Sequence, residues 1–183
     1  FDPNGITFEI GGTVASRFLS RLAWSRGGGV VEIFPAGSNN PKRPGRLGQG
    51  TYGRSGHSQV EPWDFLYLPA AQNEEADLAL GLFREGMTVN SAPFAFLSFF
   101  KVLNIRHGGG AGQKDWINQN LKHLWYSPAI ERLNELQKTE NNIGKYLYEE
   151  GRCAVAHAHG NPIVNPDNYI DKRRMEYDLN LMK

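Results

Sequence analysis

The sequence predicts an α+β fold: a small mixed N-terminal region over residues 1–70, followed by an all-helical bundle over residues 71–183. Three observations carry the prediction. The chain changes texture near residue 70, from glycine-rich and mixed to helically periodic. Two short runs of β-branched and aromatic side chains, 30–34 and 63–68, are closed by Pro35 and Pro69 in the manner of strands. The 183 residues are 40% hydrophobic, enough to build the core of one domain, or of one domain with an appendage.

Taken in order, Thr13 to Trp24 places Val14, Phe18, Leu19, Leu22 and Ala23 at helical spacing, and Gly27-Gly28-Gly29 ends that helix. The first expected strand follows at Val30 to Phe34 and the second at Trp63 to Leu68. Between them Ala36 to Pro62 is rich in Gly, Pro, Ser and Arg, a connection longer than most loops in compact domains. Asn73, followed by Glu74, Glu75 and Asp77, has the capping residue and negative charge of a helix start, and this helix runs to about Thr88. Asn90 or Ser91 caps the next, with Pro93 in its first turn; Phe94 to Ile105 is apolar almost all round, which predicts a central buried helix. Further helices are expected over 115–125, 129–137 and 143–158, and a charged last helix from Asn168 or Asp171 to Lys183 uses Tyr169, Met175, Leu179 and Met182 as its apolar face. Trp24, Trp63, Trp116 and Trp125 are assigned to packing.

Charge and cysteine usage exclude several classes. Lys and Arg number 20 against 19 Asp and Glu, a net charge of +1, so the chain is not uniformly basic and any nucleic-acid surface must be a local patch. One cysteine, Cys153, excludes a disulfide framework and a four-cysteine zinc site, and a reducing, cytoplasmic setting is the expectation. The longest apolar stretch, Phe94 to Leu103, is far short of the roughly 20 residues of a membrane span, so no membrane partner is expected. The chain opens on Phe1, and sequence upstream of it is expected.

Two glycine motifs invite a phosphate reading. Gly48-Gln49-Gly50-Thr51-Tyr52-Gly53 matches GxGxxG, but no strand precedes it and no helix follows; the partner motifs of a kinase are missing too. Gly108 to Lys114 lacks the adjacent Gly-Lys and the Ser/Thr of a phosphate loop and reads as a helix connection. A different signal lies in Pro41 to His57, where Lys42, Arg43, Arg46 and Arg54 stand with Tyr52 and no acidic residue. Such a strip can lie along single-stranded RNA, cations on phosphates and a ring on a base; a solvated surface loop is the plainer reading.

The sharpest motif is Arg152-Cys153-Ala154-Val155-Ala156-His157 on a late helix. It resembles the Arg-x4–6-His signature of the HEPN superfamily, helical proteins that include many metal-independent ribonucleases of toxin, antiviral and RNA-processing systems. With 16–24, 94–103, 161–167 and Lys172-Arg173-Arg174 it is similar to the methylamine-utilisation protein MauJ-like family, in which a small mixed region precedes a HEPN-like helical half. The resemblance implies a HEPN-like bundle, a homodimer in which two copies of the motif converge, and catalytic roles for Arg152 and His157. A neutral histidine can take the proton of a ribose 2′-hydroxyl and a guanidinium can hold the phosphate bidentately, giving 2′,3′-cyclic phosphate ends without a cofactor or metal. Five residues on an α-helix subtend about 140°, so one protomer does not bring the pair onto one face.

Beside this stand the alternatives. Cys153 occupies the place where active HEPN members often carry a polar residue, so a non-catalytic dimeric accessory protein is the second reading. In it Arg152 pairs with Glu149, Glu150 or another carboxylate, and His157 donates to a carbonyl at the helix end. Tyr148 and His159 are further candidate RNA contacts, and Tyr146 is weighed with Tyr148. His157, His159 and Asp167 have metal-binding side chains at no recognised spacing, and no metal is expected. A toxin or defence role would imply a neutralising partner protein.

Overall fold

A computed structural model describes residues 6–29, 66–157 and 162–183 of the chain. The described residues contain no strand, and the fold they form is all-helical. This corrects the α+β expectation. Of the second expected strand, Leu66 and Tyr67 form a turn, with 70% and 83% of their surfaces exposed. β-branched and aromatic runs become strands only when a neighbouring strand and a buried face are supplied, and propensity alone does not supply them. The first expected strand, Val30 to Phe34, lies outside the described residues, as does the loop 36–62.

The chain divides into two compact units, Phe1–Arg84 and Glu85–Lys183. In the first, α1 (Ile6–Arg26) ends at Gly27, whose φ of 60° is a left-handed conformation that glycine adopts without penalty. Leu22 and Ala23 are buried, Trp24 meets the Phe83 ring edge-on at 4.9 Å, and Arg17 and Arg21 both reach Asp77, at 3.3 and 3.5 Å. Asp77 stands in the first turn of α2 (Glu74–Thr88), whose start is capped by Asn73: its Oδ1 accepts from the Ala76 N–H at 2.9 Å.

The second unit is built around α3 (Ala92–Arg106). Ala95, Phe96, Ser98, Phe99 and Phe100 are buried along it, as its nearly all-apolar sequence requires. Pro93 sits in the first turn. Then come α4 (Gly110–Asn120), a 3₁₀ turn Leu121–His123 and α5 (Ser127–Leu136). Next, α6 (Ile143–Tyr146), a π-helical segment Leu147–Cys153 and α7 (Ala154–Ala156) follow without a break, and α8 (Tyr169–Leu179) comes last. α3 packs on α8, on the π-helical segment and on α7, while α4 packs on α6 and α5 on α8.

Several expectations shift by a turn or a face. α4 begins five residues earlier than expected, inside the glycine cluster, so Lys114 stands on a helix and not in a connection. On α8, Met175 and Leu179 are buried but Tyr169 is 73% exposed, so Tyr169 does not belong to the apolar face. Of the tryptophans assigned to packing, Trp125 is 87% exposed and Trp24 55%; Trp63 lies outside the described residues. No helix among the described residues is long and apolar enough to cross a membrane.

Candidate functional site

The late helix that carries Arg152 and His157 is not a regular α-helix. Between Leu147 and Cys153 it widens to a π-helix, and the Ala154 N–H reaches back five residues to the Glu149 carbonyl. Such bulges put an extra residue into a turn and concentrate at functional sites. Two glycines let this helix approach its neighbours. A Cβ on Gly151 would lie 2.6 Å from Cζ of the buried Phe96, and one on Gly144 would collide with the Lys114 carbonyl. Asn118 ties the other end down, its Oδ1 accepting from the Gly144 N–H at 2.8 Å.

The bulge presents Tyr148 and Arg152 together. The Tyr148 ring is half-buried, meets Phe100 at 6.3 Å with an interplanar angle of 64°, and lies against Gly110, where a Cβ would be 2.6 Å from its Cζ. Two cations stand over this ring, Lys114 Nζ at 5.4 Å from the centroid and Arg152 Cζ at 5.6 Å. Glu149, one of the carboxylates that the second reading weighed as a partner of Arg152, pairs instead with Lys114 at 3.7 Å and Lys145 at 3.8 Å. No carboxylate among the described residues pairs with Arg152; its Nη1 points to Cys153 Sγ at 3.7 Å. The guanidinium is therefore oriented by an aromatic ring and keeps donors for an anion.

His157 is the residue at which the helix stops. Its φ of −120° and ψ of 126° are extended, its N–H donates to the Cys153 carbonyl at 3.0 Å, and the residue is exposed. Leaving the helix here removes the angular constraint that a regular α-helix would place on the Arg152–His157 pair. Of the other predicted site residues, Lys42, Arg43, Arg46 and Arg54 lie outside the described residues, and so does His159. The Gly48 to Gly53 loop lies there too.

One constellation is not legible in the sequence. Asp178 on α8 is fully buried, and polar groups from three side chains close on it. Arg132 Nε donates to Oδ1 at 2.8 Å, Tyr146 Oη donates to Oδ2 at 3.0 Å and Arg174 Nη1 donates to Oδ2 at 3.3 Å. Arg132 Nη2 also donates to Tyr146 Oη at 3.3 Å, and its Nη1 to Glu135 Oε2 at 3.1 Å. Burial raises the Asp178 carboxyl above its ordinary value, with Arg132 the leading opposing influence. Burial likewise raises the Tyr146 hydroxyl, and the Asp178 charge raises it further. Tyr146, weighed as a site residue beside Tyr148, belongs to this network. The only hint in the sequence is the four-residue spacing of Arg174 and Asp178, which is equally that of a surface pair.

Comparison with known proteins adds one match. A family model described as Methylamine utilization protein MauJ matches residues 79–183, more than half of the chain. No curated protein and no solved structure matches it.

Proposed function

The chain belongs to the Methylamine utilization protein MauJ family, and from that premise we propose that it is a HEPN-like RNA-binding protein whose Arg152 and His157 form a metal-independent endoribonuclease site in a homodimer. The observation that carries the reading is the state of Arg152. It is held over the Tyr148 ring on a π-helical bulge, without a carboxylate partner among the described residues, in the same short segment as the exposed His157.

The chemistry follows from the two side chains. Arg152 holds the non-bridging oxygens of a phosphodiester and the charge that builds on them. Neutral His157 accepts the proton of the ribose 2′-hydroxyl as the 2′-oxygen bonds to phosphorus. The bond from phosphorus to the 5′-oxygen breaks, and that oxygen takes up a proton from an imidazolium, leaving a 5′-hydroxyl and a 2′,3′-cyclic phosphate. A non-catalytic accessory role is the second reading, favoured by Cys153, a weak hydrogen-bonding group that occupies one Arg152 donor.

The test is cleavage of a mixed RNA pool in EDTA by wild type, Arg152→Ala and His157→Ala. Cyclic-phosphate ends formed by wild type and reduced about a hundredfold or more in both variants are the expected result. Equal inactivity of three folded proteins overturns the nuclease and leaves the accessory reading.

A further inference from the structure

A second site lies beside the buried Asp178 network, and nothing in the Arg152 and His157 reading uses it. A cleft of about 280 Å³ is lined by Arg132, Tyr169, Ile170, Arg173, Arg174 and Tyr177. Three of the six are arginines, and no acidic side chain among the described residues lines the cleft. That volume falls just below the usual range of ligand pockets, which starts at about 300 Å³, so it suits one compact unit and not a large ligand.

The arginines are not equivalent. Arg132 spends its donors on Asp178, Glu135 and Tyr146 and serves as fixed positive background. Arg174 gives Nη1 to Asp178 and Tyr146, at 3.3 and 3.4 Å, which locks its guanidinium in place while its Nε and Nη2 keep no partner among the described residues. Arg173 gives Nε to Tyr177 Oη at 3.1 Å and stands 5.5 Å from that ring, leaving both Nη groups without a partner among the described residues. Two oriented guanidinium edges thus converge on one cleft. Beside them Tyr169 is 73% exposed, Ile170 75% and Tyr177 42%, a contiguous aromatic and aliphatic surface of the kind that marks binding sites.

We propose that this cleft binds a nucleotide unit, its phosphate on Arg173 and Arg174 and its base stacked on Tyr169. Bidentate arginine recognition suits a phosphate, and an exposed tyrosine supplies a sequence-tolerant stacking face. The same chemistry is offered by a free nucleotide and by one residue of single-stranded RNA, and the assay separates the two.

Binding of AMP, adenosine and a 5′-labelled oligoadenylate of about ten residues is measured by titration with wild type, Arg173→Ala and Tyr169→Ala. Both substitutions fall on exposed side chains outside the core, and circular dichroism confirms that the variants are folded. AMP is expected to bind about tenfold more tightly than adenosine, and each variant to weaken AMP about five- to tenfold. A matching loss for the oligomer identifies the ligand as part of a strand; AMP binding without oligomer binding identifies a free nucleotide. If wild type binds neither, or if both variants bind as wild type does, the proposal is overturned. The oligomer titrations are made in a His157→Ala background, with and without Arg173→Ala and Tyr169→Ala, so that the proposed cleavage cannot consume the probe. The AMP titrations contain no phosphodiester to cleave, and the outcome is thus distinguishable from that at Arg152 and His157.

Discussion

A carboxylate taken wholly out of water must be met by donors, and at Asp178 the nearest is Arg132. Because burial raises the Asp178 carboxyl, the folded protein binds that proton more tightly than the unfolded chain. The stability tied to the group is thus present below its unfolded value, near ~3.9, and is lost as pH rises through the folded one. Removing the cation that opposes the rise enlarges it. Arg132→Met is expected to cost about 3–5 kcal/mol at neutral pH, where a buried carboxylate is left without its closest cation. The loss should shrink at about pH 4, where Asp178 can take a proton. Urea denaturation at the two pH values checks this; equal losses would contradict it. At the same scale Arg152 contrasts with Arg132: one rests on a ring, the other is consumed by carboxylates. By helical spacing alone Glu149, three residues before Arg152, is its natural partner. The choice of Lys114 as the partner of Glu149 rests on a residue 35 positions away in the chain, which no local pattern reveals.

At the scale of elements, the late helix is shaped by what it packs against. Gly151 stands where α3 brings Phe96 within van der Waals reach, and the π-helical widening occupies the same stretch. A methyl group there would overlap an aromatic ring that is itself fully buried. Gly151→Ala is expected to destabilise by about 1–3 kcal/mol through overpacking. It should lower Tm in a calorimetric scan; an unchanged or raised Tm would show that the core yields. The helices themselves are legible in sequence. Asn73 caps α2, Pro93 opens α3, and the apolar run 94–105 holds the buried centre, each where the linear pattern puts it. The bulge is not legible, since i to i+5 bonding leaves no signature in residue types. The start of α4 inside a glycine cluster is equally hidden. A Cβ on Gly110 would meet the Tyr148 ring, which arrives from a helix much later in the chain.

At the scale of the molecule, the proposed nuclease needs two copies of the chain. If each cleft combines Arg152 of one copy with His157 of the other, Arg152→Ala and His157→Ala chains complement each other. Mixing the two inactive variants under exchange is expected to restore up to about a quarter of wild-type activity, since about half the dimers are mixed and each keeps one intact site. Activity that stays at background in a mixture of demonstrated heterodimers would place both residues in the same protomer's site. Whether the chain is a dimer is itself read by light scattering, with twice the chain mass as the expected outcome.

The sequence by itself determined that the described helices exist and roughly where each lies, although α1 begins seven residues before the expected Thr13 and α4 five before Asp115. Its Arg-to-His spacing nominated Arg152 and His157 as candidates. Periodicity, caps and breakers act over one or two turns, so they survive in the linear pattern. Tertiary structure alone decided the rest: that Leu66 and Tyr67 form a turn and not a strand, that Trp125 faces solvent, that Asp178 is buried, and that Lys114 and Arg152 share one ring. The buried network and the shared ring depend on residues far apart in the chain, as Arg132 and Asp178 are, 46 positions from one another. Burial and ion pairing are properties of the packed neighbourhood, and only packing brings those neighbours together.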